Sequence, residues 1–328
     1  MRWIVSLLTL LALIPPAHSS DVFKYHQVSM GTTVEITLVA DHEEEARKAA
    51  MQAFQEIKRI EQLMSPKATS GDVFRINQSS GREWVSVSPE TMHVIDKAKK
   101  ISALSGGAFD ITVAPLTQLW RTAREKGIPP APEEVRRVLE LVNFREILTS
   151  PEGKLFLNKK GMAIDLGGIA KGYAVDKAFE VLQSLGYENV IVNAGGDLRV
   201  GGRRLNQPWT IGIQHPGDPE KIMAKVLLSG SAMATSGNYQ KFFVHQGKRY
   251  GHIFNPVDGF LTEACRSVSI FHRDCMTADA LATAVFVLGP EKGYALCQKL
   301  EEARCFLVDQ EGKVIFSLGL KERLSLVP

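Results

Sequence analysis

The stretch from Asp274 to Gly289, DCMTADALATAVFVLG, constrains the fold more than any other. Between Met276 and Leu288 only Thr277, Asp279 and Thr283 are polar. A helix that is apolar all round has to be wrapped all round, so the chain must build its core about this segment. Asp279 and Thr283 lie four residues apart and share one helical face. A carboxylate buried there costs several kcal/mol unless it finds a partner. Two arrangements are open. With Thr277 as N-cap, Asp279 falls in the first turn, where the helix dipole stabilises an acid by about 0.3–1 kcal/mol. Thr283 then bonds back to a carbonyl one turn earlier. Alternatively, a hard divalent cation, Mg²⁺ or Ca²⁺, takes the carboxylate and the hydroxyl together.

The rest of the chain supplies the wrapping. Its 328 residues, 45% of them hydrophobic, suffice for a sizeable core. HQVSMGTTVEITLVA (26–40) alternates at Val34, Ile36 and Leu38 and reads as a strand. The next segment, 43–64, carries a helical apolar stripe from Ala46 to Met64 with acids at its start. Further helices are predicted over 89–104, stopped by Gly106-Gly107, and over 115–126, 133–142 and 168–185. Pro-rich GIPPAPEE (127–134) makes a surface loop between two of them. From 189 to 272 the pattern is mostly strand, with HQGK a hairpin turn. The apolar helix ends at Leu288, another begins at Pro290, and two short strands close the chain. This order predicts an α+β fold, a single domain with a mixed, largely antiparallel sheet and packed helices, not a doubly wound sheet.

The N-terminus, MRWIVSLLTLLALIPPAHSS, has an early Arg, an apolar run from Trp3 to Ile14 and small residues around Ala17-His18-Ser19. It reads as a cleaved export signal over residues 1–19, leaving a mature domain of 20–328. The run is too short for a comfortable membrane span. No Cys stands at the cleavage region to carry a lipid anchor. Cys265, Cys275, Cys297 and Cys305 allow one or two bridges after export, and buried thiols with at most one bridge is the better reading. Their spacing is no zinc pattern. With 39 basic and 36 acidic residues, a net charge of +3 and no basic run, the chain is not built for nucleic acid.

Several stretches carry candidate chemistry. In AIDLGGIAKGYAVDKAFEVL (163–182), Asp165 ends an apolar run, Gly167-Gly168 make a turn, and Lys171 sits in the first turns of a helix. A helix start with a Lys suits a phosphate, and a solvated Lys beside a Gly-rich turn is the equal alternative. The stretch is neither a P-loop nor G-x-G-x-x-G. NAGGDLRVGG (193–202) is a tight hairpin or a place of close backbone approach. SGGAFDITVAPL (105–116) sets Phe109 and Asp110 past a glycine pair. They are either an exposed aromatic and an acid for a planar ligand, or a core Phe and an N-cap. In GHIFNPVDG (251–259), His252 stands at a strand end before an NPVDG turn, as a structural residue or a general base.

In order and spacing, Met30-Gly31-Thr32, SGGAFDITVAPL, DLGGIAKGYAVD, NAGGD, ATSGNYQ, GHIFNPVDG and ADALATAVFVLG resemble the FAD:protein FMN transferase family, the ApbE-type flavin transferases, across residues 30–289. The resemblance implies a single α+β domain that binds FAD and Mg²⁺ outside the cytoplasm, in the periplasm with or without association with the inner membrane. Its activity would be transfer of FMN from FAD to a Ser or Thr hydroxyl of an acceptor protein, with release of AMP. Met30, Ala108, Phe109, Asp110, Asp165, Lys171 and Ile253 would contact FAD. Asp279, Thr283 and the Gly168 carbonyl would hold Mg²⁺, and His252 would be catalytic. The implied acceptors are subunits of membrane redox complexes of the sodium-translocating NADH:quinone reductase or Rnf type. The chain departs from the family in MSPKATSGDVFRIN, where Lys67 replaces an aromatic residue that lies against the flavin. The usual lipoprotein Cys is also missing. Two other functions remain open: a metal-dependent FAD pyrophosphatase and an exported flavin carrier without catalysis.

Overall fold

A computed structural model describes residues 20–238 and 243–327, so the expected export segment and Tyr239–Phe242 of the ATSGNYQKFF stretch lie outside the described residues. The 26–40 stretch is not one strand. It folds back as β1 (Asp21–Ser29) and β2 (Thr32–Ala40), paired antiparallel about Met30-Gly31. Both turn residues have positive φ, 52° and 72°, as a two-residue I′ turn requires. Gly31 adopts this freely. Met30 does so at a cost of about 1–3 kcal/mol, the kind of strain kept at functional sites. Alternation alone concealed the turn because the apolar pattern runs through it.

The helical segments α1 (Glu43–Met64), α3 (Pro89–Leu104) after the short strand β3 (Val85–Ser86), α4 (Ala114–Lys126) and α5 (Pro132–Leu139) fall close to their predicted places, and α2 (Asp72–Gln78) stands between α1 and β3 where none was predicted. Gly106 and Gly107 close α3 with φ of 64° and 89°, and Gly107 N–H donates to Ser102 O at 2.8 Å. Strands β4 (Ile147–Thr149) and β5 (Lys154–Leu157) join β3 in a small sheet of order β3-β5-β4. Then come α6 (Ala170–Ser184), β6 (Val190–Ala194), β7 (Asp197–Val200), β8 (Trp209–His215), β9 (Asp218–Leu228), β10 (Ser231–Gly237) and the hairpin β11 (Phe243–His245) and β12 (Lys248–Tyr250). The chain ends with β13 (Cys265–His272), α7 (Cys275–Lys299), β14 (Arg304–Asp309), β15 (Val314–Phe316) and β16 (Leu324–Leu326). Helix α7 breaks at Gly289 (φ 80°, ψ −179°) before Pro290, where the sequence divides it.

The main sheet has eight strands in the order β1-β2-β6-β7-β10-β13-β14-β15, every ladder antiparallel. The fold is α+β, and its parallel pairing among the described residues is the isolated bridge Val113↔Ala163. One face of the sheet is apolar through Val34, Ile36 and Leu38 of β2 and Val190 and Val192 of β6. It packs on α1, α6 and α7 in the larger core. Part of the other face, with Leu198, Val200, Met233 and Phe271, packs on a second sheet of order β16-β9-β8 through Ile211, Ile213 and Val226. That cover reaches β2 at Val39. All four cysteines are buried free thiols. No helix among the described residues is long and apolar enough to cross a membrane.

The apolar helix is sited by a crossing with α6. A Cβ on Gly172 would lie 2.3 Å from the Cys275 carbonyl oxygen, so only glycine lets the two backbones meet there. Thr277 is not the N-cap. Asp274 is, its carboxylate accepting from the Thr277 N–H at 2.7 Å, and the helix begins before Thr277. Asp279 therefore falls in the second turn, beyond the reach of a first-turn dipole argument. Asp176 of α6 adds a second cap, accepting from the Cys275 and Met276 N–H groups at 2.9 Å each and from Arg199 at 2.9 Å.

Burial pushes the Asp176 carboxyl up to about 6, outweighing the two N–H donors and Arg199. Between the ordinary carboxylate range near pH 4 and pH 6, the folded chain holds a proton that the unfolded chain has released. Stability from this group therefore falls as pH rises through that window and is level above it. Asp176→Asn removes the titration. The stability of the parent relative to the variant, from denaturant midpoints, should fall between pH 4 and 6, and a pH-independent difference would refute this account.

Candidate active site

The uncovered part of the sheet's second face opens into a cavity of about 1370 Å³. The β1–β2 turn brings Met30 to it, the loop after α3 brings Ala108, Phe109 and Asp110, and the turn before α6 brings Asp165 and Gly168. Lys171 comes from the first turn of α6, His252 and Ile253 from the irregular chain after β12, and Asp279 and Thr283 from α7. Thus residues drawn from distant parts of the sequence all line one space.

Charge is concentrated where α6 crosses α7. Asp279 is 4% exposed. Its Oδ2 accepts from the Gly172 N–H at 3.0 Å, and its Oδ1 lies 3.7 Å from Lys171 Nζ. The donor at the α6 start that the sequence offers to a phosphate is thus taken by Asp279. Lys171 also donates to Asp197, a buried carboxylate at the start of β7, whose other oxygen accepts from the Thr235 N–H at 3.3 Å. Burial opposes the Lys171 charge, but Asp197 and Asp279 prevail and raise its pKa, so it stays an ammonium. For Asp279, burial and then Asp197 push the carboxyl up, while Lys171 and the Gly172 N–H pull it back. Two carboxylates face one ammonium, so with both ionised the cluster would carry one negative charge too many for a buried site, and the rise at Asp279 is the response.

The surroundings of that cluster are oxygen-rich. Thr283 does not spend its hydroxyl on its own helix; Oγ1 lies 3.2 Å from Ser236 Oγ. Gly168 stands against it, since a Cβ there would come 3.3 Å from Thr283 Oγ1 and 3.1 Å from Phe109 Cε2. Among the described residues, no three His, Cys, Asp or Glu side chains gather as a metal cluster. The donors on offer are one carboxylate, hydroxyls and backbone carbonyls, a set suited to a hard cation that keeps water and phosphate oxygens in its shell.

Other sites differ in detail from the sequence reading. Phe109 is a buried floor residue, 4% exposed, not an exposed aromatic. Asp110 accepts from Thr112 N–H at 2.8 Å, Thr112 Oγ1 at 2.6 Å and Phe144 N–H at 2.8 Å. Its carboxylate is therefore occupied within the protein. Asp165 Oδ1 accepts from Gly167 N–H at 2.8 Å and so shapes the turn that presents Gly168. His252 is exposed on the cavity wall, past the end of β12 rather than at a strand end. Ile253 is half-buried and its carbonyl accepts from Thr262 N–H at 3.0 Å. Lys67 is exposed and does not line the cavity. Asp197 and Ser236 were not singled out in sequence. Both lie inside quoted motifs, NAGGD and ATSGNYQ, but nothing local says which polar residue of a strand will face Lys171 or Thr283.

The profile of the ApbE family matches residues 30–307. The chain belongs to the ApbE family. A relative from Klebsiella pneumoniae (strain 342), named FAD:protein FMN transferase, is 32% identical over 307 residues, 93% of this chain and 94% of its own. One from Vibrio cholerae with the same name is 32% identical over 303 residues, 90% of each chain. In structure, the ApbE protein from Thermotoga maritima superposes with a TM-score of 0.85 at 32% identity, covering 92% of this chain and 99% of that one. The flavin transferase ApbE from Vibrio cholerae gives a TM-score of 0.84 at 28% identity, covering 93% and 100%. The single-domain α+β architecture of the ApbE family is therefore also that of this chain.

Gly168→Ala tests the oxygen-lined corner. The added methyl would crowd Thr283 Oγ1 and Phe109 without touching a charged group. Divalent-cation affinity, followed by calorimetric titration of the FAD-loaded protein, should fall by about tenfold or more. Stability should drop by only about 1–3 kcal/mol, the usual cost of overpacking. Unchanged affinity would separate Gly168 and Thr283 from any cation.

Proposed function

We propose that this chain catalyses Mg²⁺-dependent transfer of FMN from FAD to a Ser or Thr hydroxyl of an acceptor protein, releasing AMP. The observation that carries the reading is the buried cluster Asp197–Lys171–Asp279, two carboxylates to one ammonium, beside the Thr283 hydroxyl in a cavity large enough for a dinucleotide. The names of the relatives support the flavin part of it. Asp279, Thr283 and the Gly168 carbonyl would hold Mg²⁺, which when bound supplies charge neutralisation to the diphosphate.

The chain's own groups account for the remaining work. Lys171, fixed by Asp197, presents a permanent positive charge with 29% of its side chain exposed to the cavity. There it would offset charge on the phosphoryl oxygens and on departing AMP. The acceptor hydroxyl oxygen attacks the phosphorus on the FMN side, the bond from that phosphorus to the AMP phosphate oxygen breaks, and AMP leaves with the electron pair. His252 would take the hydroxyl proton as the new ester bond forms. Phosphoryl transfer asks mainly for positioning and charge neutralisation, and few side chains need take part. Met30, Phe109 and Ile253 offer apolar contact to a planar ring. The ends of Ala108-Phe109-Asp110 and Asp165 would serve the rest of FAD. The same reading places the mature protein outside the cytoplasm, after loss of residues 1–19. Its acceptors would be flavin-bearing subunits of membrane redox complexes, such as those of sodium-translocating NADH:quinone reductase or Rnf type.

The test is incubation of the mature chain with FAD, Mg²⁺ and such a subunit. Denaturation-resistant flavin on the subunit is the expected product; FMN and AMP in solution alone would mark a pyrophosphatase, and FAD bound but never cleaved would mark a carrier. Asp279→Ala should lower Mg²⁺-dependent transfer by about 10²-fold or more and abolish Mg²⁺ binding, with the fold intact by circular dichroism. Retained activity would falsify the cation assignment. His252→Ala should leave FAD affinity unchanged and slow transfer by about 10²–10⁴-fold, the usual contribution of a general base. An unaltered rate would remove it from the chemistry.

A further inference from the structure

We infer that the free edge of β8 is the docking site for the acceptor polypeptide, which joins it as an added strand and so delivers its hydroxyl to the Lys171–Asp279 corner. This rests on the transfer reading above. A strand that lines a cavity with a face contributes alternate residues, because successive side chains point to opposite sides. That is what β1 and β2 do along their lengths, through Val22 and Lys24 and through Glu35 and Thr37. Strand β8 is different. Every residue from Trp209 to Gln214 lines the cavity, although Trp209, Ile211 and Ile213 are buried in the second core and Thr210 and Gly212 are exposed. Shorter runs, Asn193-Ala194 and Thr235 to Gly237, occur at strand ends, but six consecutive residues of both orientations within one strand fit a strand that presents its backbone edge to the space.

That edge is open and undefended. The second sheet runs β16-β9-β8, so among the described residues β8 is paired on one side only, with β9. Half of its N–H and C=O groups therefore point into the cavity. Soluble proteins guard such edges with charges, prolines or bulges. From Trp209 to Ile213 there is no charge, no proline and no break in register, the irregular pairing with β9 being confined to Ile213–His215, whereas the neighbouring β9 begins Asp218-Pro219-Glu220-Lys221. An unguarded edge turned inward to a cavity is protected from casual pairing yet remains available to a segment that enters the cavity.

The cavity has room for two occupants. At about 1370 Å³ it exceeds the roughly 300–1,000 Å³ of ordinary small-molecule sites. None of the residues assigned above to FAD or the cation lies on β8. The same cavity is lined by Glu35, its cross-strand partner Asn193, and the bonded pair Asp197 and Lys171. A reaction whose acceptor is a hydroxyl on a protein needs an extended segment to reach a buried phosphorus, and strand addition supplies affinity through main-chain bonds while leaving side chains free for chemistry.

Hydrogen–deuterium exchange tests the assignment. The mature chain would be measured alone, with FAD and Mg²⁺, and with FAD, Mg²⁺ and a sodium-translocating NADH:quinone reductase acceptor subunit whose acceptor Ser or Thr is replaced by Ala. Transfer to the unaltered subunit would be assayed in parallel. The expected result is exchange slowed about tenfold or more at the cavity-facing amides of 209–214 when the subunit is added, and not with FAD and Mg²⁺ alone. Protection by FAD and Mg²⁺ alone would give the edge to the dinucleotide and overturn the inference. So would flavin transfer to the unaltered subunit with exchange at 209–214 unchanged. Absence of transfer, with FMN and AMP released or FAD left intact, would instead sink the transferase reading and the docking site with it.

Discussion

The site depends on the crossing of α6 and α7 at Gly172. With no side chain there, the two helices meet backbone to backbone beside Cys275. The crossing carries the Gly172 N–H to Asp279 and leaves the next residue back, Lys171, within 3.7 Å of the same carboxylate. Asp176, one turn further along α6, caps the start of α7 and is itself held by Arg199. Any side chain at 172 would push α7 off α6 and separate all these groups at once. The polar cluster is therefore fixed by a packing constraint, and its precision comes from the rigidity of two buried helices rather than from loops.

The electrostatics follow from that geometry. In water, Asp197, Lys171 and Asp279 would be three solvated ions. Here burial removes most of that solvation, and one ammonium must serve two carboxylates. The protein keeps Lys171 charged and leaves Asp279 the less satisfied member, with its carboxyl raised by burial and by Asp197. A cation at Asp279 would relieve that penalty.

Much of this was legible in sequence, and the reasons it was can be stated. The apolar run 276–288, the stripe 46–64 and the break at Gly289-Pro290 are periodic or stereochemical signals that need no partner. They appear in the structure as α7, α1 and the kink between the halves of α7. The order of the Gly-rich motifs carried the family resemblance. What sequence could not carry was pairing. The turn at Met30-Gly31 was hidden in an unbroken alternation. Thr277 looked like a cap because the hydroxyl is a good one, while Asp274 proved the better placed. For Phe109 and Asp110 the sequence left open an exposed ligand pair or a core Phe with an N-cap; the first packs into the floor and the second closes a loop onto Phe144. Asp197 stayed unnoticed because its role exists only through Lys171, twenty-six positions earlier in the chain.

Lys67 stands outside both the charged corner and the cavity lining. The charged corner is over-determined: Gly172, Asp176, Asp197, Lys171 and Asp279 constrain one another, and loss of one strands another in a buried place. In the proposed function the flavin end would be held by apolar contact through Met30, Phe109 and Ile253, which line the cavity, and apolar contacts are individually small and add up. Under the proposed function, the departure from the resembled family at Lys67 would cost stacking surface without stranding a polar group, and would bear on FAD affinity rather than on the Lys171–Asp279 charges.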